Sequence, residues 1–285
     1  MNHPQCILTL SCSDQPGIVG AVGSFLADQR CNIIDSAQFG DVDTGRFMMR
    51  VLFEELEGSG PRELLTDAFD KVAARFAMQW EVHDASHRPR VLIMVSKQDH
   101  CLNDLLYRYK VGALRMEPVA IVSNHRDTYQ LAASYDVPFF HVPVTAGNKA
   151  QQEAKVLGII DESNAELVVL ARYMQILSDD LCRKLEGRAI NIHHSFLPSF
   201  KGAKPYHQAY ARGVKLIGAT AHYVTAELDE GPILEQEVAR VDYKMGPDDL
   251  VALGRDVECL ALARAVKCHI EHRVFLNGQK TVVFR

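Results

Sequence analysis

The strongest constraint in this sequence is a series of five short apolar runs: RVLIMVS (90–96), PVAIVSN (118–124), FFHVP (139–143), ELVVLA (166–171) and AINIHH (189–194). Stretches with helical spacing separate them. Several runs are apolar at consecutive positions, which a strand requires when both of its faces are covered. Strands alternating with helices in this way predict an α/β fold, a Rossmann-like doubly wound and mainly parallel sheet. Helices are predicted at 100–111, 127–135, 147–161, 178–186 and 248–272, and strands at 215–224 and 233–240 are predicted to close an antiparallel edge.

The residues before position 90 follow another rhythm. Strands are predicted at 5–12, 31–39, 45–53 and 78–82, with DVDTG (41–45) as a hairpin turn between the second and third. One helix runs from Asp14 or Pro16 to about Gln29, and a second starts at Pro61. Leu64, Leu65, Ala68, Phe69, Val72 and Phe76 place an apolar stripe on one face of that second helix. The order βαββαβ is the split ferredoxin-like arrangement, an antiparallel sheet with two helices on one face and the other face left open. The polar segment HDASHRP (83–89) ends in proline, so the expected division is a first domain at 1–84, a linker at 85–89 and a second domain at 90–285.

A chain of 285 residues exceeds what one hydrophobic core usually organises, and 47% hydrophobic with 24% charged residues is a globular balance. The net charge of −5 and the lack of any dense Lys/Arg cluster argue against nucleic-acid binding. No apolar run approaches the roughly 20 residues that span a bilayer, and the N-terminus lacks a basic segment followed by a long apolar one. The expectation is therefore a cytoplasmic protein without membrane association. The seven cysteines include no C-x-x-C pair and fit reduced, structural thiols. The first turn after a second-domain strand, SKQDH (96–100), contains no glycine, so no dinucleotide site is expected there, and the chain has no phosphate-binding P-loop motif.

Open α/β sheets bind ligands beyond the carboxyl ends of their strands. Three endings are rich in polar groups: RYMQILSD after 166–171, the triplet Ser123, Asn124 and His125, and the end of 189–194. Asn191 and His193 lie two apart on one strand and so face the same side. A side-chain amide can stabilise a developing oxyanion while a neutral imidazole accepts and returns a proton near neutral pH. Asp229, just before Gly231-Pro232, is an acid able to fix an imidazole tautomer. Taken singly, Asn191 also fits a strand-end turn, His193 a satisfied core histidine, and Asp229 a solvated acid beside Glu227 and Glu230. Spacing does not bring Asp229 to His193.

The segments NIHHSFLPSFKGAKPYHQAY (191–210) and GATAHYVTAELDEGPIL (218–234) resemble the folate-dependent formyltransferase family, whose members carry Asn-x-His and then a loop Asp before Gly-Pro. The resemblance covers about Pro89 to the C-terminus and implies Asn191, His193 and Asp229 as the catalytic set. Many glycinamide ribonucleotide formyltransferases have proline after the histidine. Here His194 stands there, and HHSFLPSFKGAKPYHQA is similar to the deformylase branch, which passes the formyl group to water. The segment SDQPGIVGAVGSFLADQRCNIIDSAQF (13–39) resembles an ACT domain, a small module often found binding amino acids.

The resemblance implies a hydrolase of a linear amide bond that releases formate from 10-formyltetrahydrofolate and so serves purine synthesis and the one-carbon pool. It implies neither a metal ion nor a cofactor, since the folate is the substrate. Arg172, Tyr173, Met174, Gln175, Ile176 and Leu177 are expected along the folate pocket, with His194 and His222 beside it. Lys204 and His207 are expected to shape or close the site. Asp14, Gly17 and Ile18 are candidates for an amino-acid effector. The uncovered sheet of the first domain, together with the habits of ACT-like modules, implies a homo-oligomer, dimer or tetramer. Two alternatives remain open: transfer to an amine such as glycinamide ribonucleotide, and a sensor of amino acid or folate without turnover.

Overall fold

The computed structural model describes residues 3–57, 62–145, 147–196 and 205–285. The chain forms two compact units. The first comprises Met1–His87, Glu271–Gly278 and Val282–Arg285, and the second Arg88–Ile270 and Gln279–Thr281.

In the first unit the order is β1 (Gln5–Ser13), α1 (Ile18–Asp28), β2 (Cys31–Asp41), β3 (Arg46–Glu55), α2 (Arg62–Phe76) and β4 (Gln79–Asp84). The strands lie in the order β2-β3-β1-β4, all antiparallel to their neighbours. This is the predicted ferredoxin-like sheet. Alternate residues of the two central strands, Cys6, Leu8, Leu10 and Cys12 on β1 and Phe47, Met49, Val51 and Phe53 on β3, share a buried core with Phe25, Leu26, Leu65 and Phe69 of the helices. Phe69 makes edge contacts with Phe25 at 5.1 Å and Trp80 at 4.8 Å. The hairpin turn closes where Gly45, at φ 63°, donates its N–H to the Asp41 carbonyl.

The opposite face of this sheet is not left open as the sequence predicts. Residues 271–278 and 282–285, expected in the second domain, group with the first unit instead. Arg50, only 3% exposed on that face of β3, donates to the Glu271 carbonyl. His83 of β4 stacks on His272 with ring centroids 3.5 Å apart, and Asn277 donates to buried Asp41. The reason is elementary: a sheet with helices on one side still carries apolar and half-buried groups on the other, and the returning chain covers part of them.

The second unit begins with β5 (Arg90–Val95), α3 (His100–Lys110), β6 (Glu117–Ser123), α4 (Tyr129–Ala133) and β7 (Phe139–His141). It continues with α5 (Lys149–Glu162), β8 (Leu167–Leu170), α6 (Asp179–Lys184), β9 (Ala189–His193) and α7 (Pro205–Ala211). It ends with β10 (Leu216–Tyr223), β11 (Ile233–Arg240) and the 24-residue helix α8 (Pro247–Ile270). Two short strands follow in the chain, β12 (Val274–Asn277) and β13 (Lys280–Val283), which the sequence does not predict and which pair only with each other. The strand order of the large sheet is β11-β10-β9-β8-β5-β6-β7. The five strands from β9 to β7 are parallel, while β10 pairs antiparallel with both β9 and β11.

The consecutive apolar runs lie at the centre as predicted: Val91 to Val95 are fully buried, and Leu167, Val168 and Val169 beside them equally so. From β5 the chain winds outward to β6 and β7, then returns to the other side for β8 and β9. The strand order therefore reverses between β5 and β8, and the crevice beyond the carboxyl ends of these strands is where such sheets bind ligands. Among the described residues, no helix is long and apolar enough to cross a membrane. The seven cysteines are all free.

Helix α8 is fastened to the sheet by Tyr223, whose hydroxyl shares a hydrogen bond of 2.7 Å with His269 Nδ1. Burial lowers His269 to about 4, so the ring stays neutral in the fold. The unfolded chain takes up this proton near pH 6.5, whereas the folded protein refuses it until about pH 4, so stability rises with pH across that window and is complete above it. His269→Gln keeps a hydrogen-bond partner for Tyr223 and removes the titration. Chemical denaturation at pH 5 and 7.5 is expected to show the stability difference between the two pH values shrinking by about 2 kcal/mol in the variant.

Candidate active site

The site is built around β9. Ile190 and Ile192 point into packed core, so Asn191 and His193 face together to the other side. The antiparallel neighbour β10 sets His222 directly opposite Asn191 and Thr220 opposite His193. Cross-strand partners of this kind lie close enough for side chains to touch. Asn191 Nδ2 is accordingly 3.3 Å from His222 Nε2.

After β10 the chain makes a loop and returns as β11, with Tyr223 N–H donating to the Pro232 carbonyl. Asp229 stands in that loop in a left-handed conformation, φ 58°, which is costly for a residue with a Cβ and is held by its surroundings. Gly231 makes the return possible. A Cβ at this position would overlap the Tyr223 carbonyl oxygen and press on the His222 ring. The pinch brings Asp229 Oδ2 to 3.2 Å from His193 Nδ1 and Oδ1 to 3.6 Å from His222 Nε2. The three residues of the expected catalytic set thus stand together, joined by His222.

This geometry assigns protons. The Asp229 carboxylate accepts from His193 Nδ1–H, leaving Nε2 as the free basic nitrogen. That Nε2 is buried and, among the described residues, has no hydrogen-bond partner. His222 Nδ1 donates to the Tyr223 carbonyl at 2.9 Å, so in the neutral ring Nε2 accepts from the Asn191 amide. That bond fixes the side on which the Asn191 NH₂ group lies. Burial acts to raise the Asp229 carboxyl, but the hydrogen bond from His193 Nδ1–H, with the His222 ring beside the other oxygen, outweighs it and holds the group well below the usual carboxylate range.

A cavity opens on this cluster. Asn191, His193, His194, His222 and Asp229 form one wall, the whole stretch from Arg172 to Leu177 another, and the loop from Val224 to Leu228 a third. The expected folate segment therefore borders the cavity, with Met174 and Ile176 exposed at its mouth. The Arg172 guanidinium is tied back to Gln98 Oε1 and to the buried Glu258. Ser96 completes the loop's anchoring: its N–H donates to the Arg172 carbonyl and its hydroxyl accepts from Met174 N–H.

His194 stacks against His193 at 5.0 Å, and burial, with Arg172 and His193 nearby, lowers it to about 4, so it lines the cavity uncharged. Lys204 lies outside the described residues. His207, expected in a loop, is an exposed residue of helix α7 and does not border the cavity, because the chain has already turned helical at Pro205. In the first unit Asp14 and Gly17 are exposed and Ile18 is buried at the start of α1. Gly17, at φ 96°, is the residue before that helix, and no side chain caps its first turn. Among the described residues, His100, Cys101 and Glu258 are the one group with metal-like spacing, yet the Glu258 carboxylate already faces a guanidinium and accepts from Tyr206.

The spacing of residues does not reveal the wall at Val224–Leu228, the role of Gly231, or Glu258. The Gly-Pro pair is the one local sign of a pinched return. Gly231→Ala is expected to destabilise the protein by about 1–3 kcal/mol through the forced overlap with Tyr223, read as a lowered thermal midpoint. A crystal structure of the variant is expected to show Asp229 moved out of hydrogen-bond reach of His193.

A family model described as formyl transferase matches residues 89–266, and one described as ACT domain matches residues 7–72. A formyltetrahydrofolate deformylase of Corynebacterium sp. (strain P-1) is 52% identical over 279 residues, covering 98% of each chain. The crystal structure of a formyltetrahydrofolate deformylase from Burkholderia mallei superposes with a TM-score of 0.94 at 57% identity, covering 100% of both chains. Glycinamide ribonucleotide transformylase 1 from Symbiobacterium toebii, by contrast, covers 70% of this chain and 95% of its own, at 26% identity and a TM-score of 0.65. With a full-length relative at this identity and a formyl transferase model over most of its length, the chain belongs to the formyltetrahydrofolate deformylase family.

Proposed function

We propose that this protein hydrolyses 10-formyltetrahydrofolate to tetrahydrofolate and formate, with Asn191, His193 and Asp229 as its catalytic residues. The observation that carries the reading is the buried His193, held by Asp229 at Nδ1 and left with an unpartnered Nε2 at a cavity. That nitrogen takes a proton from water as the water oxygen bonds to the formyl carbon. The carbonyl electrons move onto the formyl oxygen, where the Asn191 NH₂ donates to the developing charge. His193, now an imidazolium stabilised by Asp229, returns its proton to the folate nitrogen as the carbon–nitrogen bond breaks, releasing formate and tetrahydrofolate.

The segment from Arg172 to Leu177, together with His194 and His222, holds the folate. His194, being uncharged, adds no field that would compete with Asp229 for the His193 proton. Water is the acceptor in this reading, and the deformylase relatives support it by matching both units, whereas the transformylase matches only part of the chain. The formate released then serves purine synthesis. The first unit, whose ACT match supports a regulatory role, binds an amino acid near Asp14, Gly17 and Ile18 and adjusts turnover within a homo-oligomer.

Formate release from 10-formyltetrahydrofolate, measured without any amine, tests the hydrolysis directly. Turnover only after addition of an amine would establish a transferase, and folate binding without turnover in either condition a sensor. Asp229→Asn is expected to lower kcat by about 10⁴-fold by disturbing the His193 tautomer. Asn191→Ala is expected to lower it by about 10²–10³-fold through loss of the oxyanion donor. Both variants should still bind tetrahydrofolate.

A further inference from the structure

Glu258, in the middle of α8, is a carboxylate more deeply buried than Asp229, and it does not border the cavity. It is 1% exposed, and an ion so placed persists only when its oxygens are fully engaged. Oε1 accepts from the Tyr206 hydroxyl at 2.6 Å. Oε2 is 2.7 Å from His100 Nε2 and 3.3 Å from Arg172 Nε. Burial acts to raise this carboxyl, but the His100 hydrogen bond, the Arg172 charge and Tyr206 together bring it below its ordinary value, so it is ionised.

The three partners come from three separate segments. His100 opens the helix after β5, Arg172 follows β8, and Tyr206 lies in the helix after β9. All three segments emerge at the carboxyl ends of the strands that border the site. One carboxylate therefore ties the cavity-lining segment at Arg172 to the helices that carry His100 and Tyr206.

The tie to Arg172 matters most. Arg172 adopts φ 64°, a left-handed turn that starts the cavity wall running to Leu177. Such a turn is unfavourable for a residue with a side chain unless its surroundings impose it. Here the guanidinium is gripped by Gln98 Oε1 and faces Glu258, while Ser96 holds the backbone. The helix is also shaped for its other partner. Gly254 is one turn before Glu258 on the same face, and a Cβ there would overlap the Tyr206 ring. His194 lies between Tyr206 and His193, with ring centroids 6.4 Å and 5.0 Å away respectively.

We propose that Glu258 is a positioning residue that sets the folate-binding wall by holding Arg172 and Tyr206 in place. It touches neither the cavity nor the Asn191, His193 and Asp229 cluster, so its effect falls on substrate binding and not on the chemical step. A glutamine of the same shape brings one carbonyl oxygen and one NH₂ group. The NH₂ can donate to the Tyr206 oxygen while the carbonyl oxygen still faces His100 and Arg172, so the change removes the negative charge that holds the guanidinium.

Glu258→Gln is expected to raise KM for 10-formyltetrahydrofolate at least tenfold while kcat stays within threefold, and to weaken tetrahydrofolate binding, read by calorimetry, by a similar factor. In an Arg172→Gln background the same change should add less than twofold, because its route of action is already cut. A loss of folded protein alone would lower kcat with KM and tetrahydrofolate affinity unchanged, and that result overturns the proposal. So do an unchanged KM with unchanged affinity, and effects that multiply in the double variant. Tyr206→Phe removes one donor at constant volume and must raise KM in the same direction by a smaller factor, which tests the proposal if Glu258→Gln gives no folded protein. The inference rests on the hydrolase reading for its kinetic arm. Failure of that reading shows as no formate from the unaltered protein, whereas the calorimetric comparison still decides the role of Glu258.

Discussion

One carboxylate between two imidazoles organises the catalytic end of this protein. Asp229 reaches His193 and His222 at once, and each imidazole then sets something further: His193 the direction of its free nitrogen, His222 the orientation of Asn191. Removing the carboxylate would leave His193 without a fixed tautomer, whereas His222, held by the Tyr223 carbonyl, would still orient Asn191. The cost of holding Asp229 there is a left-handed backbone and a partly buried charge, both sustained by the tight return at Gly231. Strain at a functional position is tolerable when the neighbouring sheet over-determines it, as β10 and β11 do.

Asp229 and Glu258 divide the electrostatic work. Both are carboxylates withdrawn from water and kept ionised by hydrogen-bond donors, yet one borders the cavity and the other lies behind its wall. Their partners do not overlap. Asp229 addresses groups on β9 and β10, whereas Glu258 addresses groups that follow β5, β8 and β9. A buried ionic network is a poor source of net stability, but it is selective about geometry, because few arrangements satisfy every oxygen.

The first unit solves a different problem. Its helices cover one face of a four-stranded sheet, and the last residues of the chain, after the long helix of the second unit, lie against the other through Arg50, His83 and Asp41. A four-stranded antiparallel sheet of this kind is often completed by a partner. Here part of that cover is supplied in cis, so the chain's ends both belong to one unit although the sequence between them folds as another.

Much of this was legible in the sequence where the signal is local. Consecutive apolar residues at Val91–Val95 predicted strands covered on both faces, the βαββαβ rhythm predicted the first sheet, and the two-residue spacing of Asn191 and His193 placed them on one side of a strand. Each follows from a periodicity that acts over a few residues. The approach of Asp229 to His193, the pairing of Asn191 with His222, the turned-back guanidinium of Arg172 and the return of residues 271–278 to the first unit were decided only by tertiary structure. These depend on strand register and loop closure between distant positions, and such long-range pairings leave no repeating mark in the chain.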